Sequence, residues 1–226
     1  MKRLTTLLPS MLLLCGIAFL LSDCASLTGF QDGRSLGKGT TEITGSLNFN
    51  TSPAFNDLDN DSLGIDVPTI FAPNIEVGVK HGITEKIDIG LRLNTNLNIG
   101  FAVKGQVIGD DQSPFALGLG LEAATFGLVG GLWNIQVPVF LSVHPSEKFT
   151  AYLNPKYIYQ FSSFADAEGG LSYFGSNAGL LFGKRNKFGL DFGYYSLGSG
   201  GNRDRVGLIQ FGFGGRFAFG GSRGKD

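Results

Sequence analysis

The 226-residue sequence predicts an all-β fold, a transmembrane antiparallel up-and-down β-barrel of ten strands, with eight or twelve strands as the alternatives. The stretch Asn74 to Asn96 carries the first of three observations. Ile75, Val77 and Val79 alternate with Asn74, Glu76, Gly78 and Lys80, and Ile87, Ile89, Leu91 and Leu93 alternate with Asp88, Gly90, Arg92 and Asn94. That is the period of two that strands impose, and His81-Gly82-Ile83-Thr84-Glu85 supplies a short polar turn that folds the two arms into a hairpin. Second, one face of the hairpin is aliphatic and the other charged, and the pattern returns in segment after segment. If the charges face inward and the large apolar side chains outward, the outer solvent is lipid. Third, 35 Gly and 20 Phe with only 16% charged residues suit a barrel wall better than a helical domain. A net charge of -1 and a pI of about 6.1 leave no electrostatic footprint for nucleic acid.

Residues 1–23 read as a signal peptide: Lys2 and Arg3 precede an apolar run from Leu7 to Leu21 that Pro9 interrupts. Leu21-Ser22-Asp23-Cys24 resembles a bacterial lipobox, which makes Cys24 the expected lipidated first residue, although Asp23 departs from the small residue usual there. Ordinary cleavage near Ala25 or Ser26 is the alternative. Cys15, the only other cysteine, leaves with the apolar run, so the mature chain forms no internal disulfide and no cysteine-based zinc site. Residues 24–38 are polar and glycine-containing, and read as a tether between the anchor and the barrel, residues 39–219. A tail, 220–226, follows.

The first strand, Thr40 to Phe49, sets Glu42, Thr44, Ser46 and Asn48 against Ile43, Leu47 and Phe49. Residues 50–68, rich in Asn, Asp and Ser, are long for a loop and fit the extracellular side of such a barrel. Apolar alternation runs on from Leu91 to Val107, too far for one span of ~9 to 11 residues. A tight turn is therefore expected within Asn94-Thr95-Asn96-Leu97-Asn98, with the fourth strand at Asn98 to Ile108. The fifth, Pro114 to Thr125, sends Phe115, Leu117, Leu119 and Leu121 outward. The sixth alternates Trp133, Ile135, Val137, Val139, Leu141 and Val143 with Asn134, Gln136, Ser142 and His144. The seventh sets Tyr157, Tyr159 and Phe161 against Asn154, Lys156 and Gln160, before a loop at 162–170. The eighth, Leu171 to Gly183, has the weakest alternation, and Lys184-Arg185-Asn186-Lys187 makes its turn. The ninth, Phe188 to Leu197, points Asp191 inward, and the tenth runs from Arg205 to Phe219.

The inward charges are Glu42, Glu76, Asp88, Glu122 and Asp191 against Lys80, Arg92, Lys104, Lys156 and Arg216. Equal numbers of each sign inside a narrow lumen fit an internal network of ion pairs, because unpaired charges there would each cost several kcal/mol. Glu76, Lys80, Asp88 and Arg92 are expected to form one cross-strand network, with Lys80 near Asp88 and Glu76 toward Arg92. No enzyme is expected. His81 and His144 fall at short turns, no serine stands in a GxSxG elbow, and HExxH is absent. Asp57, Asp59, Asp61 and Asp66 lack the glycine and the closing Glu of an EF-hand loop and read as solvated. No cofactor or metal is expected.

Gly214-Gly215-Arg216-Phe217-Ala218-Phe219 resembles the terminal-strand signal of bacterial outer-membrane barrels. Together with GITEKIDIG between two alternating strands and the lipoprotein-type leader, it makes the chain resemble the small outer-membrane β-barrel proteins of Gram-negative bacteria, including uncharacterised porin-like ones. The resemblance implies the outer membrane with both termini periplasmic, and as partners the outer-membrane lipids and the barrel-insertion machinery. Small solutes or extracellular ligands at loops 50–68 and 162–170 would be further partners. It implies a structural or binding barrel with a largely closed lumen, or alternatively a narrow channel for small solutes.

Overall fold

The computed structural model describes residues 26–51, 72–126, 131–163, 170–199 and 205–221. The signal peptide, Cys24, nearly all of the loop 50–68 with its four aspartates, most of 162–170 and the last five residues of the tail lie outside the described residues.

Ten strands follow one another in meander order. They are β1 (Thr40–Thr51), β2 (Ala72–Gly82), β3 (Ile87–Asn94), β4 (Asn98–Ile108), β5 (Phe115–Phe126), β6 (Leu132–Ser146), β7 (Phe149–Ser162), β8 (Gly170–Phe182), β9 (Lys187–Ser199) and β10 (Arg205–Gly220). Every neighbouring pair is antiparallel, and β1 also pairs with β10, from Thr40 opposite Gly220 to Thr51 opposite Ile209, so the sheet closes. Closure leaves no unpaired strand edge, as a sheet surrounded by lipid requires. The expected turn near Thr95 exists. The Asn94 carboxamide oxygen accepts the N–H groups of Asn96 and Asn98, each at 3.0 Å, and Leu97 takes the left-handed conformation (φ 58°).

Alternation sorts the wall as the sequence predicts. Val77, Leu91, Leu121, Phe174, Phe192 and Tyr194 lie exposed on the outer face, whereas Asn134, Gln136, Asn154, Asn177 and Gln210 are buried inside. An outward apolar belt around a polar interior is the surface of a barrel that sits in lipid. The four connections 82–87, 108–115, 146–149 and 182–187 share one end with Thr40 and Gly220, called the short-turn end below.

The region N-terminal to β1 corrects the expectation of a tether. Ser26, Leu27, Gly29, Phe30, Asp32, Gly33, Ser35 and Leu36 are all buried. The chain does not leave the short-turn end before Thr40. It turns back into the lumen, reaching Leu36 beside Asp88 near that end and Leu27 beside Ile158, Tyr173 and Tyr195 toward the other. The wall carries matching apolar patches: Leu27 packs in one cluster with those three residues, and Phe30 packs with Tyr152 and Leu181 in another. These inward-facing apolar side chains also explain the weak alternation of β8, where Tyr173 and Leu181 break the rule of polar residues inside.

Candidate functional site: the occupied lumen

Glu42, Asp88, Lys104, Glu122, Lys156, Asp191 and Arg216 are buried, Glu76, Lys80 and Arg92 are half-buried, and their contacts fall into separate groups. Arg92 bridges two carboxylates, with Nη1 3.0 Å from Glu76 and Nη2 against Glu122. Gly100 stands opposite Arg92 and leaves room for it, since a Cβ there would lie 2.9 Å from the guanidinium Nε. The expected approach of Lys80 to Asp88 is not found. Lys80 stands directly opposite Glu42 on β1 and meets it at 3.6 Å, while Asp88 stands directly opposite Lys104 on β4 and meets it at 3.3 Å. Directly opposed residues are closer than diagonal ones, so the outer neighbours of the hairpin captured both charges. Glu42 also accepts from Arg216. Asp191 and Lys156 join no ion pair among the described residues.

Much of what these side chains do is hold the luminal segment by its backbone. Asp191 accepts from Gly29 N–H at 3.0 Å, the Ser142 hydroxyl from Gly33 N–H at 2.9 Å, Gln106 from Ser35 N–H at 2.8 Å and Asp88 from Leu36 N–H at 2.9 Å. In the other sense, Asn154 donates to the carbonyls of Gly29 (2.7 Å) and Gln31 (2.8 Å). Lys104 donates to those of Asp32 (3.3 Å) and Arg34 (2.6 Å), and Lys156 to those of Ser26 (3.4 Å) and Thr28 (3.1 Å). A segment without sheet pairing must still satisfy its buried polar groups, and here the wall does so with side chains. Two glycines allow the close approach. A Cβ on Gly29 would lie 2.3 Å from Asn177, and one on Gly33 2.4 Å from the Ala116 carbonyl.

The segment carries two side-chain charges: Arg34, half-buried, donates to the Ser113 carbonyl at the short-turn end, and Asp32, 3% exposed, has its carboxylate 3.0 Å from Arg216 and 3.7 Å from Lys187. Neither Asp32 nor Lys187 stood out in the sequence, because the first lay in the expected tether and the second in an expected turn. The signal that could have found them was the set of apolar residues in lumen-facing positions, Tyr152, Ile158, Tyr173, Leu181 and Tyr195, which need something inside to pack on.

His144 is not paired with Glu147 at a turn. Its ring lies inside, with Nε2 2.9 Å from the Ser142 hydroxyl and Nδ1 3.0 Å from that of Thr150, which in turn accepts from Lys187 at 2.8 Å. Glu147 instead meets Lys184 at the surface. A serine beside a histidine is the beginning of a nucleophilic site, but Ser142 is buried and its hydroxyl bonds the backbone of Gly33, so no substrate carbonyl reaches it. His81 lies at the rim and bonds Thr41 at 2.9 Å. In the short turn after β4, outside the spanning strands, hydrogen bonds from the Ser113 hydroxyl and from the N–H groups of Gln112 and Ser113 hold the Asp110 carboxyl below its ordinary range. Among the described residues no cluster of three His, Cys, Asp or Glu side chains could hold a metal.

Beside the segment, between it and the wall of β1 to β7, a cavity of about 50 Å³ remains, lined by Thr28, Gln31, Thr44, Arg92, Glu122 and Lys156 among others. At roughly 10 to 15 Å³ per ordered water it holds a few water molecules. A larger one, about 280 Å³, lies at the short-turn end among Leu36, Thr40, Glu85, Gln106 and Asp110.

The solved structures this barrel resembles are outer-membrane proteins. They include the outer-membrane protease OmpT of Escherichia coli (9% identity, TM-score 0.41, covering 84% of this chain and 99% of that one). An outer-membrane channel of Pseudomonas putida F1 matches with 9% identity and a TM-score of 0.41 over 85% of this chain and 100% of that one. The attachment invasion locus protein Ail of Yersinia pestis matches with 12% identity and a TM-score of 0.30 over 80% and 99%. No protein-family model and no curated protein matches the sequence.

Proposed function

We propose that this chain is an outer-membrane barrel with a structural or binding role, not an enzyme, and that its lumen is closed by internal ion pairs together with residues 26–36. The observation that carries this reading is the residual void. Between residues 26–31 and the wall a cavity of about 50 Å³ remains, room for a few waters, and the larger one lies beyond it at the short-turn end, beside Leu36. The segment is held at both ends of its path, by Leu27 and Phe30 in apolar pockets and by Asp32 on two cations. Outer-membrane lipids around the belt and the barrel-insertion machinery acting on β10 are the partners proposed.

Single-channel conductance tests the reading. The full chain in a planar bilayer should show little or no steady conductance. Gly33→Val forces a branched side chain against the Ala116 and Phe140 carbonyls, within 2.4 and 2.9 Å of a Cβ, and should unseat the segment and open a pore. A parent that conducts steadily, or a Gly33→Val barrel that is folded yet silent, contradicts the closed lumen. The second reading, a narrow channel for small solutes, is favoured by one feature: the wall under the segment is polar and charged, so it would be wet once vacated. In that case the parent itself should show spontaneous openings of the size seen in Gly33→Val.

A further inference from the structure

The wall near the short-turn end is short of negative charge. Four cations, Lys80, Lys104, Lys187 and Arg216, face two wall carboxylates, Glu42 and Asp88. Each wall carboxylate is already engaged: Glu42 with Lys80 and Arg216, Asp88 with Lys104 and the Leu36 N–H. The third carboxylate needed comes from the luminal segment. Asp32 sits 3.0 Å from the Arg216 Nη1 and 3.7 Å from the Lys187 Nζ, and its other oxygen accepts the Arg34 N–H at 3.1 Å. Arg216 is 5% exposed and Lys104 6%, so these charges have little water to fall back on. Burying cations that lack a partner is costly. The carboxylate between Arg216 and Lys187 thus comes from the segment and not from the wall.

We infer that the Arg216–Lys187 pocket is a binding site for a small oxyanion, a carboxylate or phosphate group of a solute, and that Asp32 is its resident occupant. The inference rests on the closed-lumen reading, since that reading puts Asp32 in the pocket. It adds the ligand class: a solute able to displace the segment carries a negative oxygen-bearing group that takes the place of the Asp32 carboxylate. A guanidinium pairs with two oxygens of such a group in one plane, and the Lys187 ammonium adds a point charge.

Chemical rescue tests this in the full chain. Asp32→Ala removes the carboxylate and leaves a space of its size. In detergent micelles the variant should melt several degrees below the parent, and sodium formate should restore Tm saturably, because a ligand bound only by the folded state stabilises it by mass action. Asp32→Asn, which fills the same space without charge, should melt low and gain nothing from formate. Adding Lys187→Gln to Asp32→Ala should weaken the rescue, whereas parent protein, in which the anion has to displace Asp32, should respond only at much higher concentration. Potassium phosphate at matched ionic strength separates the sources: rescue by formate alone assigns a carboxylate-sized site, and rescue by phosphate at lower concentration assigns a phosphoryl group. If Asp32→Ala does not refold, refolded yield against formate concentration replaces Tm as the readout. Equal responses of parent and Asp32→Ala to both anions overturn the site while leaving the closed lumen standing. A freely conducting parent, recorded in parallel, overturns the closed lumen itself and with it the position of Asp32.

Discussion

Replacing Arg92 with alanine should cost this barrel more than any surface ion pair can. Arg92 is the common partner of Glu76 and Glu122, and the three side chains are only 11%, 11% and 10% exposed. At an effective dielectric constant near 20, a charge pair 3.0 Å apart has a gross attraction of about 5 kcal/mol. Removing the shared cation leaves two carboxylates facing a void of about 50 Å³. Water in that void, or uptake of a proton by one carboxyl, recovers part of the loss. The net cost should therefore lie below the ~3 to 5 kcal/mol of a fully buried pair with one partner removed and above the ~0 to 1 kcal/mol of an exposed one. We expect about 2 to 4 kcal/mol, which for a chain of this size moves Tm by roughly 5 to 15 °C. Lys184→Ala is the control. It breaks the pair with Glu147 at 2.9 Å, whose members are 59% and 74% exposed, and should move Tm hardly at all. Thermal unfolding of both variants in the same detergent, followed by circular dichroism, gives the comparison. Arg92→Lys should recover only part of the loss, since an ammonium cannot fork between two carboxylates. If Arg92→Ala melted no lower than Lys184→Ala, luminal burial would not be raising the worth of this cluster, and the reasoning would fail.

Two further outcomes follow from the same contacts. Phe30→Ala empties the pocket formed with Tyr152 and Leu181; losing about 3 kcal/mol from the seat shifts its equilibrium roughly a hundredfold, so residues 26–38 should be cut faster by protease or exchange amide protons faster, while the strand signal of the barrel is unchanged. A cysteine placed at Thr95, in the β3–β4 turn, should react in intact cells with a membrane-impermeant maleimide, and one at Glu147, in the short turn before β7, should not; the opposite pattern would invert the proposed orientation.

The wall was legible from the sequence because a closed barrel is built from one rule applied ten times. Side chains alternate, and the outer solvent rewards apolar ones, so β4 begins and ends where the pattern places it, at Asn98 and Ile108. Even the faint β3–β4 turn was readable, since Asn94 supplies the side-chain acceptor that closes it. The contents of the lumen were not legible. Residues 26–36 have no strand period, their partners lie as far as 184 positions away, and most of the bonds to the wall use a backbone group of the segment that any residue could offer, the Asp32–Arg216 pair being an exception. The pairing of Lys80 failed for a related reason. Alternation fixes which face a charge occupies, but the nearest partner depends on the register of the neighbouring strand, and β1 and β2 are joined by the long connection between Thr51 and Ala72 rather than by a short turn that would set that register.

The direction in which the luminal segment runs sets acylation and occlusion against each other. Its first described residue, Ser26, has its carbonyl 3.4 Å from Lys156, six positions before the end of β7 at Ser162. Six strand residues are about 20 Å of wall, whereas Cys24 is two residues from Ser26 and reaches at most about 7 Å. A reach of about 7 Å falls short of about 20 Å of wall, so a seated Ser26 and a diacylglycerol on Cys24 inserted in lipid would exclude each other. Drawn out of the lumen, the sixteen positions from Cys24 to Thr40 extend up to about 50 Å from the short-turn mouth, ample for fatty chains to insert in the nearby leaflet. If Cys24 is acylated, one length of polypeptide would serve either as stopper or as leash. Mature protein whose mass includes lipid at Cys24 should conduct, and a Cys24→Ala chain processed by ordinary cleavage should be shut; a lipidated and silent barrel would break the exclusion.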